Sequence, residues 1–122
     1  MTEEQLEQYE ELLNVFQDRC EEVCNLLIPI NDSYRYLYKF EVDGDEIWGE
    51  GDEYWGYGGH EYHSSKFPKS FLTAPNSKIQ EYVDGVINKR KEEKLASEKR
   101  HMETLEQMER RQLEALKKKY GE

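Results

Sequence analysis

No apolar run in the 122-residue chain approaches the ~18 residues of a membrane span. The opening MTEEQLEQYE offers neither a basic nor an apolar segment to serve as a signal peptide. The expectation is a cytosolic protein. Cysteine is scarce too. Cys20 and Cys24 stand four apart, one helical turn, and lack the two-residue spacing of a redox or zinc knuckle. They read as buried thiols behaving as small hydrophobes in a reducing compartment. Basic residues are almost missing from the first half: up to Tyr62 there are 3 against 17 acidic ones, whereas from His63 onward 14 basic residues face 10 acidic. Such a division favours pairing between the two parts, or a basic partner on the acidic one. It argues against the acidic half touching phosphate.

What the chain does have is charge, at 36%, and aromatic side chains, at 12%, on a mean hydropathy of −1.05. The charge leans toward disorder, and the aromatics demand a packed region. A chain of this length is expected to be a single domain over residues 1–122 with a small core. Leu6, Tyr9, Leu13, Phe16, Cys20, Val23 and Leu27 alternate spacings of three and four, which predicts a heptad helix over 3–27. Leu12, Val15, Cys24 and Leu26 widen the seam. Thr2 suits the N-cap, Glu3 and Glu4 the first turn, and Pro29 the end. A stripe this apolar predicts burial in a homo-oligomer, or against Ile79, Val83 and Val86 of the same chain.

From 34 to 67 the period changes to two. Tyr34, Tyr36, Tyr38, Phe40 and Val42 alternate with Arg35, Leu37, Lys39 and Glu41. Asp43-Gly44 matches the Asp-Gly pair of two-residue hairpin turns. Strands are then expected at Glu46–Gly49, around Glu53–Tyr57 and around His60–Phe67, separated by glycines and stopped by Pro68. The prediction is an antiparallel meander of three or four strands. A second helix is expected over 77–119, capped by Asn76 or Ser77 after Pro75. It opens with Ile79, Tyr82, Val83, Val86 and Ile87, passes through NKRKEEKLASEKRH, and ends with irregularly spaced Met102, Leu105, Met108, Leu113, Leu116 and Tyr120. A frayed tail is the competing reading. The fold class is therefore α+β: a long N-terminal helix, a small antiparallel sheet and a long charged C-terminal helix.

Residues 41–63, EVDGDEIWGEGDEYWGYGGHEYH, crowd eight carboxylates, five large aromatics, six glycines and two histidines together. A calcium loop would need an oxygen ligand at its fifth position and glycine at its sixth. Ile47 and Trp48 stand there. His60, His63, Cys20 and Cys24 are suitable transition-metal ligands, but two histidines three apart on a strand point to opposite faces and the thiols fall on the helical seam. His60, His63, Ser64 and Ser65 lack a nucleophile elbow or a placeable base, and the glycines lack the Gly-Lys-Ser/Thr ending of a phosphate loop. No metal, cofactor or catalytic residue is expected, and the chain reads as no enzyme.

A binding surface is the expectation, formed by Asp43, Asp45, Glu46, Trp48, Glu50, Asp52, Glu53, Tyr54, Trp55 and Tyr57. Aromatics supply contact area at low entropy cost and carboxylates steer toward a basic surface, even as a mimic of a phosphate backbone. The plainer alternative is that the aromatics form the sheet's core and the acids line solvated turns. Trp48 and Trp55 on the outer face would favour the binding surface.

The run FEVDGDEIWGEGDEYWGYGGHEYHSSKFPKSFLT, followed by IQEYV and a Lys/Glu-rich helix, resembles small accessory proteins encoded by tailed bacteriophages. The resemblance covers about residues 40–95 and carries no catalytic residues. It implies a viral accessory protein of the infected bacterial cytoplasm. The function expected from this and from the acidic, aromatic surface is to bind and modulate, by inhibition, a host or phage nucleic-acid-handling protein. The expected partner has a basic surface; neither a membrane nor direct nucleic-acid contact is expected. The alternatives are a self-assembling scaffold built on its helices and a small metal-dependent enzyme.

Overall fold

A computed structural model describes residues 1–120 and has the expected α+β architecture. Helix α1 runs Glu3–Leu27, strands β1 (Lys39–Asp43), β2 (Glu46–Trp55) and β3 (Gly59–Pro68) form an antiparallel sheet in the order β1-β2-β3, and helix α2 runs Asn76–Tyr120. Among the described residues, no helix is long and apolar enough to cross a membrane.

Thr2 begins α1 with a reciprocal cap: the Gln5 backbone N–H donates to Thr2 Oγ1 at 3.1 Å, and the Thr2 N–H to Gln5 Oε1 at 2.9 Å. The heptad seam divides along its length. Cys20, Val23 and Leu27 are buried, Phe16 is half-buried, and Leu6, Tyr9 and Leu13 are exposed. The buried part meets Tyr34, Leu37, Ile47, Phe67, Ile79 and Val83 as the core of the molecule.

The expected start of the sheet is corrected. Residues 34–36 belong to a 3-10 turn, Asp32–Tyr36, in which the Asn31 side chain accepts from the Ser33 N–H. Tyr34 and Leu37, three apart, are both buried, the repeat of a 3-10 turn. The period-two tyrosines that suggest a strand are incidental to this spacing.

The glycines read as strand breaks are corrected as well. Gly49 and Gly51 lie inside one ten-residue β2. A Cβ on Gly51 would collide with the Tyr36 carbonyl, and one on Gly49 would press on Leu37 and Phe40 at 3.0 Å. Small residues here let the 3-10 turn settle onto the sheet. Three strands result, not four. The β1–β2 turn also differs from the Asp-Gly reading. Gly44, at φ +60°, takes the first of the two central positions, the placement of a type II′ turn.

Arg19 joins α1 to the segment that precedes α2. Its Nε donates to the Leu72 carbonyl at 3.0 Å and its Nη2 to the Phe71 and Ala74 carbonyls at 3.0 and 2.7 Å. Its Nη1 donates to Asn76 Oδ1 at 2.6 Å and pairs with Glu22 at 3.1 Å. The whole fork of the guanidinium is thus engaged. Asn76 is the first residue of α2, and its side chain serves Arg19 and Glu22; the expected helix cap is replaced by this bridge. The Asn76 amide, helped by Arg19, holds the Glu22 carboxyl below its ordinary range.

The chain divides into two compact units, Met1–Val86 and a second beginning at Ile87. The first contains the entire core. In the second, α2 continues with every residue from 88 to 120 exposed.

Candidate binding surface

Side chains alternate across β2. Ile47, Gly49 and Gly51 face the core, so Glu46, Trp48, Glu50, Asp52 and Tyr54 face outward. The register places Asp43, Glu41 and Lys39 of β1 opposite Glu46, Trp48 and Glu50. On the other side, Lys66, Ser64, Tyr62 and His60 of β3 stand opposite Trp48, Glu50, Asp52 and Tyr54. Trp48 lies at the centre of this outer face, 37% exposed. A shallow recess of about 300 Å³ opens beside it, lined by Lys39, Phe40, Glu41, Trp48 and Glu50.

The polar groups of the outer face hold one another in place. Tyr62 donates its hydroxyl to Glu50 at 2.7 Å, and Lys39 stands 3.9 Å from the same carboxylate. Lys66 pairs with Glu46 at 3.2 Å, and His60 lies 3.2 Å from Asp52 while its ring stacks on Tyr54 at 5.5 Å. The Glu50 carboxylate, as hydrogen-bond acceptor, pushes the Tyr62 hydroxyl above its ordinary pKa; the Asp52 charge does the same to Tyr38. Both hydroxyls therefore stay protonated donors. Five carboxylates, Glu41, Asp43, Glu46, Glu50 and Asp52, share the face with two lysines. Its field is negative at neutral pH.

Not all ten expected residues join this surface. Asp43, Glu46, Trp48, Glu50, Asp52 and Tyr54 do. Asp45 sits in the β1–β2 turn, where its carbonyl accepts from the Lys69 N–H at 2.8 Å. Glu53 and Trp55 project from the opposite face, and the Trp55 indole lies over Gly59. Tyr57, at φ 67°, is fully exposed at the tip of the β2–β3 turn. Ten residues of β2 separate the two turns by roughly 30 Å, so Asp45 and Tyr57 stand at opposite ends of the sheet. Tyr62, one of the aromatic contacts expected of this run, joins the face, as do Glu41, His60 and Lys66, which the sequence did not single out as partner contacts. Strand parity would find them once the register is known.

A second cluster occupies the core-side face beyond the buried residues. Glu53 and Glu61 stand directly opposite each other, and His63 lies across from Gly51. His63 Nε2 is 2.9 Å from Glu53 and 3.8 Å from Glu61. Its Nδ1 meets Ser33 Oγ at 3.0 Å and its ring stacks on Tyr36 at 4.6 Å. The ligand atoms of the three residues all lie within 4.8 Å of one another. One imidazole and two carboxylates are a donor set that suits a divalent cation such as zinc or manganese. The N–H of the ring, directed at Glu53, satisfies the same geometry with no ion. The four ligands weighed from sequence are kept apart: Cys20 and Cys24 are free and buried in the core, and His60 lies on the outer face.

Comparison with known protein families, with curated proteins and with solved structures finds no match to this chain.

Proposed function

We propose that the chain is a non-enzymatic binding protein whose outer sheet face docks on the basic surface of a protein that handles nucleic acid, and so inhibits it. In the setting the bacteriophage resemblance implies, the target is a host or viral protein of the infected cell. One observation carries this reading: Trp48 and Tyr62 lie exposed among Glu41, Glu46, Glu50 and Asp52, on the face of the sheet opposite the one that buries Ile47 and Phe67. Aromatic anchors ringed by oriented carboxylates fit the anatomy of a charged interface, in which the rings supply contact energy and the acids the encounter rate. Side chains already tied by hydrogen bonds lose little freedom on docking.

The test is affinity capture from host lysate at two salt concentrations with the unaltered chain and with Trp48→Ala. A basic nucleic-acid-binding protein retained by the first and lost by the second is the expected result. Equal recovery by both would overturn the assignment to this face.

A second reading, a scaffold assembled through its helices, is favoured by the exposed run of Leu6, Tyr9, Leu12, Leu13 and Val15 on α1. Recovery of virion proteins and of the chain itself would favour it.

A further inference from the structure

From residue 88 to 120, α2 is a continuous helix with no side chain covered. A helix of this length with every side chain exposed gains little packing energy to hold it together. It nevertheless carries apolar side chains at Leu95, Met102, Leu105, Leu113, Leu116 and Tyr120, all exposed. Because the helix is unbroken, their angular positions follow from 3.6 residues per turn. Leu95, Met102, Leu113 and Tyr120 lie within about 20° of one line, with Leu105 and Leu116 about 60° to 80° to one side of Leu95. Of the irregularly spaced set, all but Met108, which is exposed about 140° away, thus share one stripe.

The stripe reads the same in both directions. Steps of seven, eleven and seven residues separate Leu95, Met102, Leu113 and Tyr120. We propose that α2 pairs antiparallel with α2 of a second copy, about a two-fold axis between Gln107 and Met108. Leu95 then faces Tyr120 and Met102 faces Leu113, each twice, as an isologous interface requires. Charge selects this arrangement. Glu98 falls at the height of Lys117, whereas a parallel pair would set Lys117, Lys118 and Lys119 against their own copies. Antiparallel helix dipoles are also mutually favourable. Leu105 and Leu116 meet the aliphatic stems of Arg110 and Lys99, which can cover apolar surface while their charges stay in water. The like-charged layer, Glu106 against Glu109, has Arg110 four residues on from Glu106 to relieve it.

The α1 stripe is a poorer match to this surface's rule of self-pairing. The first three turns of α1 carry Glu3, Glu4, Glu7, Glu10 and Glu11, and no basic residue precedes Arg19, so two copies would repel. The α2 pairing is independent of the outer sheet face and of its proposed target.

Sedimentation of the full chain at micromolar concentration reads the inference directly. The unaltered protein is expected as a dimer, and Met102→Glu with Leu113→Glu as a monomer whose near-UV circular dichroism, reporting the core and sheet, is unchanged. Glu98→Lys or Lys117→Glu alone should each weaken the dimer about tenfold, and the two together should restore it. In a parallel pair those positions lie roughly 28 Å apart, and no restoration would follow. A monomeric unaltered chain would overturn self-pairing. A dimer that survives the Met102 and Leu113 changes, or single reversals that are not rescued by the double, would overturn this interface and register.

Discussion

The two faces of the sheet are made from the same kinds of residue and end in opposite situations. On the core side, Ile47 and Phe67 are sealed, and Gly49 and Gly51 admit the 3-10 turn. On the outer side, Trp48, Tyr54 and Tyr62 remain partly or largely exposed amid carboxylates. Hydrophobicity alone does not sort them. Trp48 is the largest side chain near the centre of the sheet and faces away from the core. Packing goes to the face whose residues are small enough, or branched closely enough, for helix and turn to approach. The face left over holds its polar groups in hydrogen bonds, leaving it open for contact.

The comparison breaks most visibly on the core side. Ile47→Ala, at a wholly buried position, should cost about 4 kcal/mol by transfer and cavity together. Gly51→Ala should cost about 3 kcal/mol, because its Cβ and the Tyr36 carbonyl claim the same space. Urea unfolding measures both. Arg19→Ala follows, at about 2 kcal/mol, since it strands the part-buried carbonyls of Phe71, Leu72 and Ala74. Arg19→Lys should recover little of this, because one ammonium cannot serve the fork of acceptors.

Alkali sharpens the comparison. Burial pushes the Cys20 thiol up to about 11 and Cys24 up to about 12, and it raises the Tyr34 hydroxyl also. Folded values raised above unfolded ones give stability that is complete below the unfolded pKa. For the thiols it is lost as pH rises from the ordinary cysteine range of about 8.5 toward 11 and 12. The urea midpoint should therefore hold between pH 6 and 8 and fall above about 9. In the folded protein at neutral pH, both thiols should resist alkylation. Fast labelling of Cys20 in native conditions would contradict its burial.

The outer face should yield the smallest stability effects. Trp48→Ala should change folding free energy by under about 1 kcal/mol while removing partner capture, a separation the core residues cannot show. Glu50→Gln with Asp52→Asn should leave stability within about 0.5 kcal/mol. Partner association should become slower and less sensitive to salt, as stopped-flow measurement at two ionic strengths would reveal. Unchanged kinetics would leave these acids as solvated groups with no part in docking.

Much of this architecture is local and was legible in the residues themselves. The limits of α1 follow from the Thr2 cap and a period that stops before Pro29, and the helical register of α2 follows from its opening apolar residues after Pro75. Hydrogen bonds between near neighbours decide such features, so a short window of sequence contains their cause. The alternation that puts His60 and His63 on opposite faces is legible for the same reason. What only the tertiary structure decided involves residues far apart in the chain. Tyr34 to Tyr36 turn in a 3-10 arc because Gly51, fifteen residues beyond Tyr36, leaves room for a carbonyl. Leu13 stays exposed and Leu27 is buried on one seam because the core reaches only the second half of α1. Arg19, one of three basic residues in the acidic half, finds its acceptors more than fifty positions away. The separation of Trp48 from Trp55, and the meeting of His63 with Glu53 and Glu61, await the strand register. Sequence period states which residues share a face; the free energy of packing, summed over distant contacts, chooses which face is buried.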